Sequence, residues 1–367
     1  MLKSGSVSVM RLALELAKKG LGSVEPNPAV GCVIVKNNKI IGKGWHKKFG
    51  EAHSEINALK NCKKSPAGAT MYVTLEPCCH FGKTPPCTEA IIKAGIKKVV
   101  AAVKDPTKKV GGKGFKILKQ AGIEVETGIC KKEAEQLNAP FFKFAKTQKP
   151  WVIVKWAQSK DGFLARSDKK RWISNAASRK DVQNIRKKVQ AVLVGINTVL
   201  EDDPMLTVRP DTGRGPLRVV LDSQLRIPQN CNLIKTAKKT PVCIFTTVSK
   251  RDCRAALAMT RHIKQKGVET IKIKGKINLK AVLNELGKRN IQQVLVEGGE
   301  KVITLFLKQK LADEIIIYTS GERLGKKGKV KSSQLMRKIY NYLKNSYSDK
   351  KLFGGDIRLT GVQTNRR

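Results

Sequence analysis

Thr70-Met71-Tyr72-Val73-Thr74-Leu75-Glu76-Pro77-Cys78-Cys79-His80-Phe81-Gly82-Lys83-Thr84-Pro85-Pro86-Cys87 changes character twice along its length. Thr70 to Leu75 has the β-branched and aromatic content of a strand, Glu76-Pro77 ends it, and Cys87 to Ala94 takes helical spacing closed by Gly95. A cysteine therefore leaves the sheet at one end of the loop and another enters a helix at the other end. Upstream, His53-Ser54-Glu55 opens a second helical run, Ser54 to Lys60. One histidine, two cysteines and a glutamate two residues past the histidine suit a catalytic zinc: structural zinc is normally closed by four protein ligands, whereas a catalytic one keeps three and leaves a position for water. We assign His53, Cys78 and Cys87 as ligands, and Glu55, on the first turn beside His53, as the proton shuttle between that water and a leaving amine. Cys78 is preferred to its neighbour Cys79 because it directly follows Pro77.

Around this centre the pattern alternates. Val7 to Lys19 is amphipathic and stops at Gly20; Cys32 to Val35 and Ile40 to Gly42 form a hairpin through Asn37-Asn38. Val99 to Val103 is a strand, Gly112 to Ala121 a helix, Glu124 to Thr127 a strand and Lys132 to Ala145 one helix. This order implies a layered α/β domain over residues 1–145, with 146–150 as linker. A second α/β series over 151–367 begins at Trp151 to Lys155 and places strands at 191–194, 217–221, 242–246, 293–296 and 314–318, with one last strand at Phe353 to Leu359. Val194-Gly195 and Glu297-Gly298-Gly299 are glycine turns after strands, which suit phosphate where they feed a helix. No G-x-G-x-x-G is present.

Composition narrows the classes. The 367 residues suit two domains, 41% hydrophobic content supports real cores, and no stretch reaches a membrane span. Arg11, Glu15, Lys18 and Lys19 interrupt the apolar N-terminal stretch, which argues against a secretion signal and for the cytoplasm. Nine scattered cysteines fit a reducing compartment. The 73 Lys+Arg against 29 Asp+Glu give +44, a field that attracts polyanions. The lysines are dispersed and aromatics reach only 5%, poor material for base stacking, so we read the charge as solvated faces rather than a nucleic-acid surface.

The eight residues between Cys78 and Cys87 contrast with the C-x-x-C of many base deaminases. Pinned at both ends, they bring His80, Lys83 and Thr84 toward the metal site, a set suited to phosphate or ribose. These motifs, with Pro26-Asn27-Pro28-x-Val30-Gly31 and Gly44-x-His46, resemble the deaminase half of the bifunctional riboflavin biosynthesis deaminase/reductase family. Ser159-Lys160-Asp161-Gly162, Trp172-Ile173-Ser174, Thr198-Val199-Leu200-Glu201-Asp202-Asp203-Pro204-x-Leu206-Thr207-Val208-Arg209 and Val296-Glu297-Gly298-Gly299 are similar to its reductase half.

The resemblance implies a cytidine-deaminase-like three-layer domain followed by a dihydrofolate-reductase-like α/β domain, with one catalytic Zn2+ and NADPH. It implies zinc-dependent deamination of 2,5-diamino-6-(5-phosphoribosylamino)pyrimidin-4-one, then reduction of the product's ribosyl group to ribityl. Asn27, His46, His80, Lys83 and Thr84 would face the deaminase substrate. Trp172, Thr198, Asp202 and the turn Gly299, Glu300, Lys301 and Val302 would meet NADPH; Lys170, Arg186, Leu206, Arg209 and Glu297 would hold the reductase substrate. The expected partners are phosphorylated pyrimidines and further copies of the chain in a homo-oligomer. Ser54 stands where the family usually has alanine, Phe163 where it has a basic residue, and the loop 166–171 is short and basic. Two rivals are an RNA or nucleoside base deaminase with a basic RNA-gripping second domain, and a binding protein with a structural zinc. The cysteine spacing and Val296-Glu297-Gly298-Gly299 oppose the first; three ligands plus Glu55 oppose the second.

Overall fold

The computed structural model describes residues 2–168, 170, 172–211, 213, 215–248, 254–346 and 349–362. Lys169 and Arg171 of the basic loop lie outside these described residues. The chain divides into two compact units, Met1–Gln148 and Lys149–Arg367.

In the first unit, α1 (Leu2–Lys18) leads into the hairpin β1 (Gly31–Lys36) and β2 (Lys39–Trp45). Then come α2 (Ser54–Lys60), β3 (Thr70–Val73), α3 (Cys87–Lys93), β4 (Lys98–Ala101), α4 (Lys113–Gln120) and β5 (Glu124–Thr127). Helices α5 (Lys131–Leu137) and α6 (Ala139–Thr147) close the unit. The strand order is β2-β1-β3-β4-β5, antiparallel across β2, β1 and β3 and parallel across β3, β4 and β5. Alternation along the strands sorts side chains onto two faces. Cys32, Ile34, Met71, Val73, Val99 and Ala101 pack with Ala58 of α2, Ile91 of α3 and Leu118 of α4. Val33 and Val100 pack with Met10, Ala13 and Leu14 of α1 and Ala134 of α5. The result is three layers, with the helices carrying His53's neighbour Ser54 and Cys87 on one face.

The helix expected over 132–145 is two helices. Asn138 interrupts it because its side chain is committed elsewhere: Nδ2 donates to the Ala29 carbonyl and Oδ1 accepts from the Ala29 amide, both at 2.9 Å. Pro140, in the first turn of α6, has no N–H to continue the ladder backward. This pins the Asn27-Pro28-Ala29 segment from a distant point in the chain. Asn138→Ala leaves two buried backbone groups unpaired, and the first unit loses about 1–3 kcal/mol, read from its own transition in urea, while the transition of the second unit stays in place.

Helix α6 also runs through Lys146-Thr147, so the connection between units is Gln148-Lys149-Pro150, shorter than the linker expected over 146–150.

The second unit begins with β6 (Trp151–Gln158), β7 (Phe163–Arg166), α7 (Ala176–Lys188), β8 (Ala191–Gly195) and α8 (Ile196–Asp202). It continues with β9 (Leu217–Leu221), α9 (Asn232–Lys235), β10 (Val242–Thr246), α10 (Arg254–Gln265), β11 (Val268–Lys272) and α11 (Leu279–Lys288). The remaining elements are β12 (Gln293–Val296), α12 (Glu300–Lys308), β13 (Glu314–Thr319), β14 (Gly328–Lys331), α13 (Gln334–Asn345), β15 (Asp349–Phe353) and β16 (Asp356–Val362). The main sheet runs β11-β10-β9-β8-β12-β6-β13-β16-β15, while β7 and β14 pair separately. All pairs from β11 to β13 are parallel; β13, β16 and β15 are antiparallel. One face packs on α11, α12 and α13, the other on α8, α9 and the buried Leu206. The single last strand expected at 353–359 is instead a hairpin, turned by Gly354 (φ 52°) and Gly355 (φ 94°), backbone values that glycine adopts without steric cost.

Candidate functional site

His53 precedes α2 in an extended conformation (φ −71°, ψ 167°), and its carbonyl accepts from the Asn57 amide at 3.0 Å. The imidazole is thereby fixed at the helix mouth. Its Nδ1 lies 3.4 Å from both Cys78 Sγ and Cys87 Sγ, and the three donor atoms fall within 4.8 Å of one another. A tetrahedral zinc with bonds of about 2.3 Å to sulfur and about 2.0 Å to nitrogen sets such N and S ligands about 3.5 Å apart. The donor set fits zinc in chemistry and spacing. Cys79 is not in this group; its thiol, pushed up by burial, lies off the cluster.

Cys78 takes the thiolate role. Hydrogen bonding with the Cys87 thiol, then with His53 and with the Cys87 amide at 3.3 Å, outweighs burial and holds it down at about 4. Cys87 is pushed up by that thiolate and by its own burial. Glu55 is buried, and its carboxyl is raised by desolvation and by the Cys78 charge, which exceed the opposing effects of His53 and Ser54. The Ser54 hydroxyl donates to Glu55 Oε2 at 2.7 Å, so this serine touches the proposed shuttle.

Asn27 and His46 form the next wall. His46 Nδ1 is 3.1 Å from the Ala52 carbonyl, which requires the proton there; Nε2 then accepts from Asn27 Nδ2 at 3.2 Å. Burial lowers the pKa of His46, keeping it neutral, and its ring meets His53 edge-on at 5.1 Å. In the insertion, His80 is exposed, Thr84 is half-buried with its carbonyl accepting from Gly82 at 3.2 Å, and Lys83 sets its ammonium 4.2 Å from the centre of the Phe49 ring.

Two acids here escaped the sequence reading. Glu76, buried just before the ligand loop, accepts from the amides of Asp105 (3.1 Å), Gly112 (2.9 Å to each oxygen) and Phe115 (3.2 Å). It locks the exit of β3 to the segment between β4 and α4. Asp105 is buried, and burial raises its carboxyl against the Thr107 hydrogen bonds, with smaller and opposite effects from His80 and the Cys78 thiolate. Its position in Asp105-Pro106, directly after a strand, was the available signal.

In the second unit, Glu297 follows β12 and is gripped by two cations. Arg186 from α7 donates through Nε at 2.6 Å and Nη2 at 3.0 Å, and Lys155 from β6 adds Nζ at 3.2 Å. Burial pushes the Glu297 carboxyl up, but the two charges prevail and hold it at about 2. Arg186 also donates to the Thr207 carbonyl at 3.1 Å, tying the 203–209 segment to this cluster. Lys155 was missed; a lysine on the half-buried side of an otherwise apolar strand is the sign of a buried partner. Leu206 has its side chain in the core at φ 51°, so only its backbone is available to a ligand. Arg209 is exposed, with its amide bonded to Gln183 at 2.9 Å.

Thr198 Oγ1 accepts from the Gly299 amide at 3.1 Å at the start of α12. A Cβ on Gly195 or Gly298 would come within 2.7 or 2.8 Å of Val302, so these glycines let the α12 start close onto the end of β8. A helix start built this way suits a diphosphate, the part of NADPH that needs amide donors. Glu300 is turned to Thr304 at 2.9 Å, Lys301 is exposed, and Asp202 is exposed at the end of α8. Trp172 is half-exposed; Arg179 stacks 5.1 Å from its ring centre and Arg166 donates to its carbonyl at 3.2 Å. Arg166 is itself held by Asp168 and Glu322, and Lys170 is exposed with its amide on Asp168 at 3.3 Å. The basic loop is thus folded back by acids. Lys331 of β14 places its ammonium 5.2 Å from the Phe163 ring.

Comparison with known proteins gives the same two-part division. Residues 4–103 match the family described as cytidine and deoxycytidylate deaminase zinc-binding region, and residues 150–350 match the RibD C-terminal domain. The chain is 43% identical over 327 residues to the riboflavin biosynthesis protein RibD of Aquifex aeolicus, covering 89% of each. It is 40% identical to that of Bacillus amyloliquefaciens, covering 96% of this chain and 95% of the relative. Among solved structures, Acinetobacter baumannii RibD aligns with a TM-score of 0.83 at 38% identity, over 99% of this chain and 100% of the other. A deaminase/reductase from Thermotoga maritima aligns with a TM-score of 0.81 at 34% identity, over 98% and 99%.

Proposed function

This chain belongs to the RibD family of riboflavin biosynthesis proteins, and on that footing we propose the division of labour among its residues. It is a zinc-dependent deaminase and an NADPH-dependent reductase in one polypeptide. The first unit removes the ring amino group of 2,5-diamino-6-(5-phosphoribosylamino)pyrimidin-4-one. The second reduces the ribosyl group of 5-amino-6-(5-phosphoribosylamino)uracil to ribityl. The observation that carries this reading is the His53, Cys78 and Cys87 cluster with Glu55 beside it, in a chain whose other unit is a RibD C-terminal domain.

His53 Nδ1 and the sulfurs of Cys78 and Cys87 would hold a zinc, which when bound would supply the Lewis acid that activates water near neutral pH. Glu55 does the proton work: its raised carboxyl takes a proton from the attacking water and hands it to the leaving amine. Neutral His46 fixes the Asn27 amide, whose remaining edge orients the pyrimidine against the His46 ring, while His80, Lys83 and Thr84 meet the phosphoribosyl portion. In the second unit NADPH, when bound, would supply the hydride. Thr198, Asp202, Trp172 and the turn Gly299 to Val302 hold it, while Arg186, Arg209, Lys170, Glu297 and the Leu206 backbone position the sugar phosphate. We further infer a homo-oligomer acting in the cytoplasm, with the +44 charge spread over solvated faces rather than serving nucleic acid. No helix among the described residues is long and apolar enough to cross a membrane.

The test is to offer purified protein the diaminopyrimidinone with and without NADPH. Ammonia appears without NADPH, and NADPH oxidation follows its addition; the absence of both signals overturns the reading. Arg209→Ala removes an exposed guanidinium suited to phosphate. It lowers kcat/KM for reduction roughly 10- to 100-fold and leaves ammonia release unchanged.

A further inference from the structure

The 46–53 segment joins the two histidines of the deaminase site, and Phe49 stands in its middle with 38% of its surface exposed. Its backbone is fixed, since the Phe49 amide donates to the Ser23 carbonyl at 3.0 Å. The Lys83 ammonium lies 4.2 Å from the centre of the Phe49 ring. Lys83 also runs over Gly50, whose φ of 87° belongs to glycine; a Cβ built there would meet Lys83 Cδ at 3.5 Å and Nζ at 3.9 Å. No carboxylate among the described residues reaches ion-pair distance of this lysine. A long, solvent-exposed cation at a ligand loop would otherwise sample many rotamers, and each binding event would have to order it. Here an aromatic face and a bare glycine backbone form a seat for it.

We propose that Phe49 is a positioning residue of the deaminase site, acting through Lys83: its ring holds the ammonium in place at the mouth of the site for the substrate's phosphate. The proposal rests on the reading of Lys83 as a substrate contact. The ring exerts its hold on the lysine far from the reacting carbon, so it contributes equally to ground state and transition state and its loss raises KM with kcat unchanged. A cation–π contact at an exposed site corresponds to a two- to five-fold change.

The experiment is a double-mutant cycle on ammonia release by the full-length zinc enzyme, with bound zinc per chain and the first unit's own urea transition measured in the same preparations as the folding control. Phe49→Leu raises KM two- to five-fold at unchanged kcat, and Phe49→Tyr, which keeps the ring face, restores it. Lys83→Met raises KM further, and adding Phe49→Leu to Lys83→Met has no additional effect. If Lys83→Met raises KM but Phe49→Leu does not, or if Phe49→Leu acts equally in both backgrounds, the seat is refuted while the substrate role of Lys83 stands. If Lys83→Met leaves KM unchanged, the substrate role fails and the seat fails with it.

Discussion

Glu55→Gln retains one zinc per chain and loses ammonia release by about 10²- to 10⁴-fold in kcat, while the reductase, supplied directly with the deaminated pyrimidine, works at its normal rate. The asymmetry follows from the geometry. His53, Cys78 and Cys87 provide the donor atoms; the Glu55 carboxyl interacts with Cys87 but is not one of them. The glutamine is nearly the same size, so the buried site stays filled, and the Ser54 hydroxyl keeps an acceptor in the amide oxygen. What disappears is a group that can both take and return a proton. Metal content by elemental analysis and ammonia by coupled assay read the two halves separately; retained turnover would remove Glu55 from the mechanism.

Glu297→Ala produces the largest loss of stability. Arg186 and Lys155, with side chains 11% and 14% exposed, lose the carboxylate that both of them contact. Breaking a buried ion pair from one side costs about 3–5 kcal/mol, because the partner charge stays behind without compensation. For a unit of this size that lowers its melting temperature by roughly 10 °C. The Arg186 tether to Thr207 loosens with it, so reduction fails even below the melting point, and deamination persists. The same cluster sets an acid limit. The Glu297 carboxyl is held at about 2 when folded and returns to the ordinary glutamate range when unfolded. Its stabilising contribution is therefore complete above that ordinary range and is lost as pH falls toward 2. Acid unfolding of the wild-type second unit should steepen in that window, and Glu297→Ala should flatten it.

The zinc ligands, the hairpin and the central parallel strands were legible because each has a local signature: ligand spacing around a strand exit, Asn37-Asn38 between apolar runs, and short continuous apolar segments buried on both faces. What the sequence concealed depends on partners far along the chain or on the sheet's margins. Asn138 looks like one polar residue in a helix until Ala29, 109 residues earlier, is beside it. Lys155 looks misplaced until Glu297 arrives just past the end of the adjacent strand. Strands β11 and β15 lie at the two edges of the main sheet, and β15 is exposed along nearly its whole length. With little or no buried face, such edge strands carry too weak an apolar pattern to read. Glu76 resembled a strand-ending acid because the amides it gathers lie at least 29 residues away.

Those amides have a consequence for how such an enzyme can change. Glu76 fixes the chain just before Cys78, and α3 fixes it from Cys87 onward, so both cysteine ligands are held from outside the loop they bracket. Residues 79–86 can then lengthen, shorten or exchange side chains without moving the ligands. Substrate preference becomes a cassette, and the catalytic metal the frame into which it is inserted.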